Sequence, residues 1–366
     1  MRSGVIMTTR REFVGAAMSA SVLSAMYRPA SAKGGLKVLI LGGTGFIGPH
    51  LVQQALDRGH SVTLFNRGRT NTHLFPGVEK LVGDRNDNLS ALESRRWDAV
   101  IDNSGYTPHQ VDLSVNLLKD ASDQYLFTST RGVYADFRAK IMDEDAPIGP
   151  KDPPDPAWNS YRDNKVLSER IVQEAFGVKT LITRPPIIVG PGDRTDRFTY
   201  WVDRIDDGGD ILVQGDSIDP VQFVDVRDLA EFYVHLLEQS TSGTFNTVGP
   251  GSPLTNAGLV HGIKAITSTP STFTWVDWDF LIGEGEVPQE TLPFWYRPSG
   301  RYLRYGRMVN TRAIGAGMTF RPLAITARDT LDWHRTRSAE QQDKLRVGLS
   351  RDREAALLQK WRSVVA

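Results

Sequence analysis

The chain has 366 residues, 40% hydrophobic and 23% charged, with 43 basic and 43 acidic side chains. That length suits one large α/β domain with a smaller lobe, and the balanced charge excludes a global basic field for nucleic acid. No cysteine occurs, which excludes disulfides, thiolate nucleophiles and zinc–thiolate sites.

The N-terminus stands apart. Arg10 and Arg11 follow Thr8 and Thr9, Phe13 comes next but one, and Val14 to Met26 is apolar or small. Ala30-Ser31-Ala32 then forms an A-x-A cleavage signature. Charge, apolar core and cleavage site in this order resemble a twin-arginine (Tat) signal peptide, with Met7 a second candidate start. The run is shorter than the ~20 residues that span a bilayer. Residues 1–32 are therefore set outside the fold. The expected location is the periplasm, reached through the Tat translocase, or the cytoplasm if the signal is unused.

The mature chain begins with a buried strand, Lys37 to Leu41, and helical spacing from Phe46 to Arg58. Further strands are expected at Ser61–Phe65, Glu79–Val82, Trp97–Asp102 and Gln124–Thr128. A long helix follows at Tyr161–Ala175 and a strand at Lys179–Thr183. Alternating strands and helices with short connections imply a doubly wound parallel sheet. After Pro185 Gly and Pro become frequent, yet residues 225–238 return as an amphipathic helix and 244–248 as a strand. The expected organisation is a nucleotide-binding domain at 33–185 rejoined by 225–248. A substrate-binding lobe takes 186–224 and 249–337, and a helical tail 338–366. In that tail Leu357, Leu358 and Trp361 share a helical face suited to packing on the body.

The first strand runs into Gly42-Gly43-Thr44-Gly45-Phe46-Ile47-Gly48. Gly42 permits the turn, Gly45 lets backbone approach a pyrophosphate, and Gly48 lets the helix pack on the sheet. The helix N-terminus offers free N–H groups to phosphate. With a strand before and a helix after, the loop marks a Rossmann-type dinucleotide site. Thr44, Phe46 and Ile47 join the three glycines as candidate cofactor contacts. The second strand ends in Asn66-Arg67-Gly68-Arg69. The absent acid and the arginines favour NADP over NAD, because guanidinium meets a 2′-phosphate. Asp84 follows the third strand, as an acceptor for the adenine amine or a loop cap.

Tyr161-Arg162-Asp163-Asn164-Lys165 places Tyr161 and Lys165 four apart on one helical face. There a lysine can lower the phenol pKa and reach the nicotinamide ribose. Together with LGGTGFIG, YLFTSTRGVYAD, RPPIIVGPGD and FVDVRDLA, in this order from about Lys37 to His334, the chain resembles the extended short-chain dehydrogenase/reductases. This is the NAD(P)-dependent epimerase/dehydratase family. The resemblance implies that Tyr161 is the acid/base, that Lys165 holds the ribose, and that Thr130 bonds the reacting oxygen. It also places Ser104 of Asn103-Ser104-Gly105 beside the cofactor and Arg184 at the nicotinamide pocket, and implies a homodimer.

Nucleotide-sugar 4,6-dehydratases carry Asp-Glu after the active-site Thr; this chain has Arg131 and Gly132, so elimination by that route lacks its acid and base. Epimerases, reductases and alcohol dehydrogenases remain. Export of a folded protein, away from any NADP pool, implies a tightly held cofactor regenerated in each turnover, as in an epimerase. A reductase exchanging NADPH is the alternative. The aromatic and arginine-rich stretches 272–283 and 293–306 suit a carbohydrate or the core of a small lobe. Some relatives of the fold bind RNA or act as scaffolds after losing the catalytic Tyr or Lys; both remain here. No hydrolase elbow (G-x-S-x-G) or H-E-x-x-H zinc motif occurs.

Overall fold

The computed structural model describes residues 35–149 and 160–366. The export segment read at 1–32 lies outside the described residues. The central element is a seven-stranded sheet. Its strands are β1 (Lys37–Leu41), β2 (Ser61–Asn66), β3 (Glu79–Val82), β4 (Trp97–Asp102), β5 (Ser122–Thr128), β6 (Thr180–Thr183) and β10 (Gly243–Phe245). They lie in the order β10-β6-β5-β4-β1-β2-β3. Every pairing is parallel. The expected doubly wound sheet is thus present, with strand order reversing between β1 and β4.

Residues alternate across the sheet because successive side chains on a strand point to opposite faces. Val38 and Ile40 enter one core with Leu51 and Val52 of helix α1 (Ile47–Asp57) and Leu229 and Tyr233 of helix α5 (Val226–Glu238). Leu39 and Leu41 enter the other with Val111 and Val115 of α2 (Pro108–Leu118) and Val172 of α3 (Ser160–Phe176). Burial on both faces explains why these strands read as continuous apolar runs.

Two observed edges differ from the sequence reading. Gly177–Lys179 forms a short 3-10 turn, so β6 starts at Thr180. Strand β10 stops at Phe245 because Asn246 turns inward, receiving the Tyr134 hydroxyl at 2.6 Å and donating its N–H to Glu144 Oε1 at 2.7 Å.

The remaining strands build two small sheets. Strands β7 (Ile187–Val189), β9 (Pro220–Asp225) and β11 (Gly249–Thr255) make one; β8 (Gly209–Gln214) and β12 (Ser271–Val276) make the other. Helix α4 (Thr199–Asp207) and helix α6 (Asn256–Lys264) pack with them around Trp201, Phe223, Phe294 and Trp295. The last helix, Arg351–Val365, adds Leu357 and Leu358 to this core. Its Glu354 receives Arg204 Nε at 2.7 Å and the Leu212 N–H at 3.0 Å.

Candidate active site

Loops leaving β1 and β4 diverge where strand order reverses, opening a crevice at the C-terminal strand ends. Gly42 and Gly43 adopt φ of +116° and +90°, which side chains with a Cβ rarely take. A Cβ on Gly48 would lie 2.4 Å from the Gly43 carbonyl carbon, so α1 packs directly on the loop. A Cβ on Gly45 would meet nothing within 4 Å. The loop is tight where helix meets sheet and open where a ligand backbone would pass. These features fit a dinucleotide pyrophosphate.

A cavity of about 240 Å³ extends from this loop, lined by Gly42, Thr44, Gly45, Asn66, Arg67, Arg69, Asp84 and Ser104, among others. Asn66 does not point freely into it. Its amide donates to Gly42 O at 3.0 Å and accepts the Gly68 N–H at 2.8 Å, tying β2 to the glycine loop. Asp84 caps its own loop through the Asn86 N–H and side-chain amide at 3.0 and 2.7 Å. The Asn86 backbone N–H, with the nearby Arg67 and Arg69 charges, holds its carboxyl below the usual range. It nevertheless lines the cavity, so both readings of Asp84 coexist.

Ser104 donates to Leu41 O at 2.7 Å and is held by a buried ion pair that sequence reasoning missed. Arg85 grips Asp102 with two bonds of 2.6 and 2.7 Å, and Tyr125 donates to the same carboxylate at 2.8 Å. Arg85 and the Ser104 N–H reach Ser104 Oγ and Asp102 Oδ1 at 3.3 and 3.1 Å. Arg85 and Tyr125 outweigh burial and keep Asp102 ionised below the usual carboxylate range. The signal was an aspartate closing the apolar run AVI of the strand WDAVID.

A second cavity of about 420 Å³ brings together Phe46 and Ile47 of the glycine loop, Asn103, Thr130, Tyr161 and Lys165. Its wall is completed by Pro185, Asp193, Arg197 and Tyr305. Lys165 is buried and donates to Gly105 O at 2.9 Å and Thr128 O at 2.7 Å. Its ammonium also lies 4.6 Å from the Phe127 ring centroid. Desolvation brings its pKa down to about 8, against the opposing pull of Asp102. An ammonium has three donors, so one remains for a ligand.

Although Tyr161 as a residue is 43% exposed, desolvation pushes its phenol up, only partly offset by the Thr130 hydroxyl bonded to it. Arg184 lies outside both cavity linings. Its guanidinium grips Glu169 of α3 at 3.0 and 2.7 Å and donates to Tyr134 Oη at 3.0 Å, knitting β6 to the body. Its neighbour Pro185 lines the second cavity. Arg131, Asp193, Arg197 and Tyr305 were also missed as cleft residues. Asp193 is buried and accepts the Thr195 N–H and hydroxyl at 2.9 and 2.8 Å. Of the aromatic stretch 293–306, Phe294 and Trp295 enter the core while Tyr305 reaches the cleft.

The sequence profile of the NAD dependent epimerase/dehydratase family matches residues 38–248. Chloroplast stem-loop binding protein of 41 kDa b from Arabidopsis thaliana is 30% identical over 246 residues, covering 62% of this chain and 61% of that protein. UDP-glucose 4-epimerase of Lactobacillus helveticus is 23% identical over 285 residues, 65% of this chain and 84% of that one. The structure of Bordetella bronchiseptica WbmH in complex with NAD+ superposes with a TM-score of 0.63 at 18% identity, covering 83% of this chain and all of that one. With its parallel sheet, glycine loop and profile match over more than half its length, this chain belongs to the NAD dependent epimerase/dehydratase family.

Proposed function

We propose that this chain is a hydride-transfer enzyme, an epimerase or oxidoreductase acting on a secondary alcohol or carbonyl of a carbohydrate. The carrying observation is the single cleft that holds Thr130, Tyr161 and Lys165 beside Phe46 and Ile47 of the glycine loop. A nicotinamide dinucleotide held there would supply hydride donation and acceptance. Gly42, Thr44, Gly45, Phe46, Ile47 and Gly48 would carry its phosphates, and Arg67 with Arg69 would favour NADP through a 2′-phosphate. Lys165 would direct its third N–H to the nicotinamide ribose.

Tyr161 is a neutral phenol at neutral pH, since burial raises its pKa. It is therefore set to donate its proton to a carbonyl oxygen and to reclaim one when the alcohol is oxidised. Thr130 bonds that phenol and is placed to share the reacting oxygen. Arg131 and Gly132 follow Thr130, which supports redox chemistry at one carbon over elimination. We further propose export through residues 1–32, with a cofactor retained through many turnovers. A homodimer is the expected assembly.

The test is Tyr161→Phe. It should retain bound nucleotide while turnover with a panel of sugars falls by about two to four orders of magnitude. Equal turnover in the variant would defeat the assignment. Stem-loop binding is the named property of the Arabidopsis relative; a chain that binds RNA hairpins and no nucleotide would move the function there.

A further inference from the structure

Four arginines are buried among the described residues: Arg85, Arg131, Arg184 and Arg204. Three have a carboxylate partner, in Asp102, Glu169 and Glu354 respectively. Arg131, only 3% exposed, has none among the described residues. Its guanidinium lies 3.7 Å from the Tyr305 ring centroid and donates one bond to Tyr305 O at 3.3 Å. A guanidinium cannot shed its charge, and burying one without a counter-ion is unfavourable. Stacking on an aromatic face orients the fork without neutralising it.

The place of this charge is informative. Arg131 follows Thr130 directly and lines the same cleft as Tyr161 and Lys165. Arg162, Lys165 and Arg197 line it too, against one carboxylate among the described residues, Asp193. Asp193 is turned to Thr195, not to Arg131. The cofactor pyrophosphate would belong to the glycine loop, which contributes Phe46 and Ile47 to this cleft.

We propose that Arg131 binds a carboxylate carried by the substrate itself, close to the reacting carbinol: the substrate is a sugar acid or a related hydroxy acid. The inference rests on the hydride-transfer reading for the identity of the reacting carbon and, for the anion, on a guanidinium with no carboxylate partner among the described residues. A single planar fork held flat on a ring matches a planar carboxylate through two parallel bonds. A phosphate can take the same fork, so glucose 6-phosphate serves as the competing probe.

The test titrates the full-length, cofactor-loaded protein by calorimetry with D-glucuronate, D-glucose and glucose 6-phosphate. D-glucuronate is expected to bind at least tenfold tighter than D-glucose. Arg131→Gln should erase that difference, a loss of about a hundredfold where the pair is fully desolvated. Nucleotide content, measured on the same samples, reports that the variant is folded. If Arg131→Gln does not fold, Arg131→Lys keeps the charge without the fork and should lose about tenfold of the preference. Equal binding of the two neutral and acidic sugars, undetectable D-glucuronate binding, tighter binding of glucose 6-phosphate, or a preference that survives in Arg131→Gln would each overturn the proposal. Hydride transfer to neutral sugars without acid preference would sink this proposal and spare the parent reading. Acid preference without any hydride transfer would do the reverse.

Discussion

Gly45 and Gly48 lie three residues apart in one loop, yet they should fail in opposite ways when given a methyl group. At Gly48 the new Cβ would sit 2.4 Å from the Gly43 carbonyl carbon and 2.5 Å from its Cα. Carbon atoms pack at about 3.5–4.0 Å, so helix and loop must separate by roughly 1 Å. Both partners are backbone, and Gly43 is already held at φ +90°. Gly48→Ala should therefore cost about 1–3 kcal/mol or more, as overpacking does. At Gly45 the methyl enters open space, and φ there lies outside the left-handed region. Gly45→Ala should leave stability unchanged or raise it by about 0.4–1 kcal/mol, through lost freedom of the unfolded chain. That same space is where the pyrophosphate would run, so the methyl should weaken cofactor binding about ten- to hundredfold. Urea unfolding of cofactor-free protein reads the first quantity, and calorimetric titration with NADP and NAD the second. A Gly45→Ala variant that binds cofactor as tightly as the parent would refute the phosphate-loop reading. A Gly48→Ala variant of parental stability would refute the packing argument.

Other expectations concern buried charge. Asp102→Asn leaves Arg85 without its counter-ion and should destabilise the fold by about 3–5 kcal/mol in urea unfolding; a loss below about 1 kcal/mol would contradict the importance given to this pair. Lys165 has a folded pKa of about 8, below the ~10.4 of an unfolded lysine, so the unfolded chain binds more protons between those values. Its contribution should therefore make stability rise with pH across that window, and the difference in pH profile between native protein and Lys165→Met should isolate it; a flat difference would be inconsistent with a desolvated ammonium. Arg67→Ala should cut the preference for NADP over NAD by about tenfold in paired titrations, and an unchanged ratio would assign the 2′-phosphate elsewhere.

The large sheet was legible because strands buried on both faces must be apolar where they are covered, as the VLIL of β1 is. The loop after β1 was legible because glycines at set spacing between strand and helix have few other uses. Tyr161 and Lys165 could be placed on one helical face by arithmetic. Partnerships across distant elements were not legible in this way. Nothing local to Arg184 announces Glu169 on α3, and nothing in STRGV announces that Tyr305 would lie under Arg131. The upward direction of the Tyr161 shift was also hidden, since desolvation depends on neighbours distant in sequence.

The central claim is that one cleft serves a nicotinamide dinucleotide and the Tyr161 proton. It is tested most directly by purifying native and Tyr161→Phe protein, denaturing both, and identifying the released nucleotide by mass spectrometry, with turnover measured beforehand. The account predicts close to one NADP per chain in both, released only on denaturation, and turnover in the native protein alone. Native protein that neither carries nor binds NADP or NAD would contradict it.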